Sequence, residues 1–74
     1  TDIAQSLNSI GLVYYRKSEN DKALEYFEKS YEIRKLAYAD YPNHPDIAQS
    51  LNCIGNIYYE NDEYDKALEY YQKS

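Results

Sequence analysis

An all-α fold of antiparallel helix-turn-helix units stacked as an α-solenoid is what this 74-residue sequence predicts, on three observations. One segment returns 44 residues further along the chain. Apolar residues recur every three or four positions, and no stretch alternates apolar with polar residues over the length of a strand.

The repeat carries most of the weight. Asp2-Ile-Ala-Gln-Ser-Leu-Asn8 reappears letter for letter as Asp46-Ile-Ala-Gln-Ser-Leu-Asn52, and Asp21-Lys-Ala-Leu-Glu-Tyr26 as Asp65-Lys-Ala-Leu-Glu-Tyr70. Between residues 1–30 and 45–74, 20 positions are identical. Identity of that degree within one chain means one structural unit used twice. Residues 1–44 are therefore expected to form a first unit, and residues 45–74 a second that lacks its end.

The elements follow in order. Ile3, Leu7, Ile10 and Tyr14 form an apolar stripe that predicts a helix over about residues 2–17. Ser18-Glu-Asn-Asp21 breaks it with cap-forming residues. A second helix, about 21–40, is predicted by Ala23, Leu24, Phe27, Tyr31, Ile33, Leu36 and Ala37, with Glu25 four residues before Lys29 for support. Tyr41-Pro42-Asn43-His44-Pro45 then ends it, giving a loop over 41–44. Pro45 suits a first helical turn with Asn43 or His44 as cap and Asp46 at the positive end of the dipole. That third helix, about 45–60, repeats the stripe as Ile47, Leu51, Ile54 and Tyr58, and Asn61-Asp-Glu-Tyr-Asp65 separates it from a fourth over about 65–74.

Bulk properties narrow the function classes. A formal charge of −5 and a pI near 4.6 argue against nucleic acid and against an anionic membrane surface, both of which call for clustered Lys and Arg. No run approaches the roughly 18 apolar residues that span a bilayer. Cys53 is the single cysteine, so no internal disulfide can form and a reducing, cytoplasmic setting is expected. Opening at Thr1 without Met and stopping at Ser74, the chain reads as excised from something longer.

Leu7-x2-Ile10-Gly11-x2-Tyr14 with Ala23-x3-Phe27, and Leu51-x2-Ile54-Gly55-x2-Tyr58 with Ala67-x3-Tyr71, resemble the tetratricopeptide repeat signature over essentially the whole chain. Gly11 and Gly55 lie mid-helix, where glycine costs about 1 kcal/mol against alanine, and close approach of a partner helix explains them. Ala23 and Ala67 are expected to face that approach. The 44-residue offset and His44-Pro45-Asp46-Ile-Ala resemble the longer repeat of kinesin light chains and related scaffold proteins, which carries cargo or partner peptides. Ser18 and Asp62 stand where the shorter repeat has a turn glycine.

The resemblance implies a protein-protein interaction scaffold, binding a protein or peptide on the concave face lined by the first helix of each unit. The positions off the apolar stripe are Gln5, Asn8, Leu12, Tyr15 and Arg16, with counterparts Gln49, Asn52, Asn56, Tyr59 and Glu60. Asn and Gln side chains satisfy peptide backbone groups and tyrosines offer an amphipathic wall, although a solvated polar face is the plainer reading. Family members that clamp a terminal carboxylate use Lys and Asn where this chain has Asn8 and Leu12, so that clamp is not expected. Arg16 and Glu60 would bind charged peptide groups or pair with each other.

No enzymatic activity, cofactor or metal is expected. His44 reads as a loop residue, and Cys53 has Ser9 as counterpart and no histidine placed to activate it. Glu60, Asp62, Glu63 and Asp65 lack the glycine-containing loop of an EF-hand. The competing expectation is a structural fragment that stacks or swaps helices with copies of itself through exposed repeat ends, forming a homo-oligomer.

Overall fold

A computed structural model describes residues 3–74; Asp2, where the first helix was expected to begin, lies outside them. Four α-helices make up the described chain: α1 (Ile3–Arg16), α2 (Asn20–Ala37), α3 (Pro45–Glu60) and α4 (Tyr64–Lys73). α1 packs on α2, α3 on α4, and α2 on α3, so two helical hairpins stack side by side in a slab of 33 × 26 × 14 Å.

α2 ends at Ala37, short of the expected Asp40: the Tyr38 N–H makes the last helical bond, to the Arg34 carbonyl at 2.9 Å, and residues 38–40 then turn, with the Tyr41 N–H bonding to the Tyr38 carbonyl at 2.8 Å. Pro42 and Pro45 then carry the chain into α3. His44 caps that helix, its Nδ1 accepting the Asp46 N–H at 3.0 Å while its ring stacks on Tyr38.

Both hairpin turns use the same device. The N–H groups of Ser18 and Glu19 bond to the carbonyls of Tyr15 and Tyr14, as those of Asp62 and Glu63 do to Tyr59 and Tyr58. This is the Schellman closure, whose exit residue is left-handed and usually glycine. Here it is Ser18 at φ 65° and Asp62 at φ 64°. A side chain in that region is strained, so Ser18→Gly is expected to raise stability by about 0.5–1 kcal/mol, read as an increase in thermal midpoint of a few degrees.

The core is a cluster of Ala23, Phe27, Ile54 and Ile57, flanked by Tyr14, Tyr15, Tyr31, Tyr58 and Tyr70. The two expected stripes therefore fare differently. On α3, Ile47, Leu51 and Ile54 are buried; on α1, Ile3 and Ile10 are exposed and Leu7 is half-buried, while Ala4, Asn8 and Gly11 take the buried places. The face α1 turns inward is one step round from its apolar stripe, because only one hairpin covers it. On α2, Ile33 and Leu36 are exposed, and Arg34 between them is buried.

The glycines serve a close approach, as their mid-helix position implied, but toward a different group. A Cβ on Gly11 would lie 2.7 Å from the Phe27 ring, nearer than the Ala23 carbonyl at 3.3 Å; on Gly55 it would lie 2.8 Å from the Tyr71 ring.

Candidate functional site

The residues off the apolar stripes of α1 and α3 divide into three sets. Asn8 is removed from any ligand: it is buried, touching Cys53. This corrects the expectation that it lies on an open binding face. The asparagine sits where the second hairpin closes on the first, whereas its counterpart Asn52 remains exposed.

Gln5 and Gln49 form a second set, exposed but committed to Arg34. The Arg34 guanidinium, 1% exposed, donates from Nη2 to Gln5 Oε1 at 3.0 Å. Its Nη1 donates to the Asp46 carbonyl at 2.9 Å, Gln49 Oε1 at 3.1 Å and Ser50 Oγ at 3.0 Å. One side chain from α2 thus ties α1 to α3. Sequence periodicity gave no sign of it, because an arginine between Ile33 and Leu36 reads as the solvated side of an amphipathic helix. The signal available was the matched pair Gln5 and Gln49, whose identity across the repeat suits a shared partner.

The third set stays available. Leu12 and Arg16 on α1, and Asn56, Tyr59 and Glu60 on α3, are all exposed. Tyr15 is half-buried beside Glu60 and Cys53, and Tyr71 of α4 closes the group by donating its hydroxyl to Asn56 Oδ1. The sequence offers Tyr71 only as the aromatic of the Ala67-x3-Tyr71 motif, not as a residue of the binding face. Among the described residues no ion pair joins Arg16 to Glu60, so the cross-unit pairing weighed for them does not form. Tyr59, Tyr64, Ala67, Leu68 and Tyr71 line an apolar groove of about 440 Å³ at the outer end of the second hairpin.

With this geometry in place, comparison with known proteins is direct: residues 2–74 match the tetratricopeptide repeat family. The chain belongs to that family. Neither a curated protein nor a solved structure matches it. Tetratricopeptide repeats are protein-protein interaction modules, and the family is a non-catalytic scaffold family. Among the described residues no helix is long and apolar enough to cross a membrane.

Proton affinities in this tetratricopeptide face shift one way. Burial raises the Cys53 thiol above its ordinary 9.0, against the opposing hydrogen bond from Asn8 and the charge of Arg34. Burial, then Glu60 and Cys53, raises Tyr15 above 10.0, and burial followed by Tyr15, Tyr59 and Glu60 raises Tyr71. Each group holds its proton more tightly folded than unfolded. Their contribution to stability is complete below pH 9.0 and is withdrawn as the pH climbs past 9.0 and then past 10.0. Urea unfolding midpoints are expected to be level near neutral pH and to fall above pH 9.0, with Cys53→Ser removing the earliest part of the decline.

Proposed function

We propose that this chain is an interaction module holding a peptide or protein segment along the inner face of α1 and α3, the first helices of two repeat units spanning residues 1–44 and 45–74. The observation that carries the reading is the strip of Leu12, Arg16, Asn56, Tyr59 and Glu60, which stays exposed while the neighbouring Asn8 is buried. Its mixture suits a peptide: Asn56 for main-chain groups, Tyr59 and Leu12 for an apolar side chain, and one charge at each end. Arg16 and Glu60 are counterparts 44 residues apart with opposite charge. The favoured ligand places an acidic side chain toward α1, a basic one toward α3 and an aliphatic or aromatic residue between them. The single thiol fits a reducing, cytoplasmic setting.

The test is selection from a random peptide display library on the 74-residue chain. Selected peptides are expected to carry that charge order, and to lose about tenfold or more in affinity on Leu12→Asp or on the charge swap Arg16→Glu with Glu60→Arg. Peptides indifferent to those changes but sensitive to substitutions on the outer surface of α2 overturn the proposal.

A second reading, assembly of copies through their end faces, is favoured by one observation: Ile3, Ile10 and Val13 of α1 are exposed although the equivalent residues of α3 are buried.

A further inference from the structure

We infer that the binding face takes a proline-rich segment in the polyproline II conformation, because two exposed amide side chains of α3 have their oxygens held from behind and turn their NH2 groups to a ligand. This rests on the peptide-binding reading and names its ligand class.

The polarity is set from inside the molecule. An arginine can only donate, so the atom of Gln49 that meets Arg34 Nη1 at 3.1 Å is its oxygen, and the NH2 corner is left for a ligand. Gln5 gives its oxygen to the same guanidinium at 3.0 Å. Asn56 Oδ1 is taken by the Tyr71 hydroxyl. That pair belongs to the second unit alone: Tyr71 and Asn56 stand where the first unit has Phe27 and Leu12, so hydroxyl and amide come together. Gln49 and Asn56 are seven residues apart, two turns or about 10.5 Å along one side of α3.

A surface of donors reads acceptors. Most peptide segments bring an N–H with every carbonyl, and against such a surface the N–H is left unmatched. Proline has none, and a polyproline II helix returns a carbonyl to the same side every three residues, about 9.3 Å. Its rings need an apolar wall, which Leu12 and Tyr15 of α1 and Tyr59 of α3 supply. Glu60 lies one turn beyond Asn56, with Arg16 at the same position of α1, so the charged residues of the favoured ligand flank the proline run. These positions stay open beside a neighbouring unit on either side. Gln49 and Asn56 are exposed with a unit before them; their counterparts Gln5 and Leu12 are exposed with a unit after them, where Tyr15 is only half-buried.

An N-acetylated, C-amidated octaproline is the probe, since it is uncharged and has no N–H between its residues. Titrated to millimolar concentration into the whole 15N-labelled chain, it is expected to move the side-chain NH2 signals of Gln49 and Asn56. It should bind about tenfold or more tightly than an uncharged Gly-Ser peptide of equal length. Gln49→Glu and Asn56→Asp keep the inward oxygen and put a second oxygen where the NH2 was; the first also sets a carboxylate on Arg34. Both are expected to keep their helical circular dichroism and to bind octaproline about tenfold less tightly or worse. Amides that only support the fold would leave binding unchanged, because the inward contact survives in both variants. If display-selected peptides bind the strip while octaproline moves neither NH2 signal, or binds both variants like wild type, the proline-rich ligand is overturned and the peptide-binding reading stands. If neither octaproline nor any selected peptide binds, both are overturned.

Discussion

Replacing Arg34 with alanine is expected to cost about 3–5 kcal/mol, the scale on which a buried charged network is broken by removing one member. A chain of this size has about 4–11 kcal/mol in total at the usual stability per residue, so the variant should sit at or near the edge of folding. The cause is specific. The guanidinium donates to the Asp46 carbonyl, Gln49, Ser50 and Gln5, and its removal leaves the buried Ser50 hydroxyl and the first turn of α3 short of donors while opening a void between three helices. Arg34→Met separates these contributions: it fills most of the volume and donates nothing, so it should recover about 1–2 kcal/mol of the loss. Arg34→Lys should recover less than its charge suggests, since one ammonium cannot reach Gln5 and α3 together. Urea unfolding of the three variants checks the order, and Gln49→Ala, at an exposed position, should cost little alone yet couple to Arg34 in a double-mutant cycle.

The helices were legible because their determinants are local. Apolar spacing, the paired prolines and the polar breaks all act within one turn, and they located α1, α3 and the loop before α3. The end of α2 was less so: Leu36 and Ala37 suggested continuation, whereas the chain turns after its last helical bond at Tyr38, held by the bond from the Tyr41 N–H to the Tyr38 carbonyl and by the stacking of Tyr38 on His44. Which face of a helix is buried depends on its neighbours, and here the sequence misled. Identical residues, Asn8 and Asn52, have opposite environments because one faces a hairpin and the other does not. Periodicity assigns both the same side of a helix and cannot see what lies opposite. Arg34 was hidden for the same reason: its role belongs to three helices at once, and composition-based reasoning places arginine in water. The candidate binding strip was readable in part, since Leu12, Arg16, Asn56, Tyr59 and Glu60 lie on the exposed side of α1 and α3, while Tyr71 joined them only through the packing of α4.

Two glycines at the same position of the repeat are expected to respond differently to alanine, and the difference reports how firmly each hairpin is held. Alanine gains about 1 kcal/mol of helix propensity at either site. At Gly11 the new methyl meets Phe27 Cε1 and Cδ1 at 2.7 and 2.8 Å, with the Ala23 carbonyl at 3.3 Å behind. Phe27 is fully buried against Ala23, Ile54 and Ile57, so its ring has nowhere to swing and α1 must move away from α2. Overpacking of this kind costs about 1–3 kcal/mol and more where backbone blocks relief, so Gly11→Ala should be a net loss of about 1–3 kcal/mol and lower the thermal midpoint by about 5–15 °C. At Gly55 the obstacle is the Tyr71 ring at 2.8 to 3.3 Å, a half-buried side chain near the end of α4. That ring can tilt outward at the expense of its hydrogen bond to Asn56, worth about 1 kcal/mol, so Gly55→Ala should fall within about 1 kcal/mol of wild type. Thermal unfolding of the two variants decides it: equal losses would mean that α4 is packed as rigidly as α2, and would place Tyr71 in the core rather than on the surface offered to a partner.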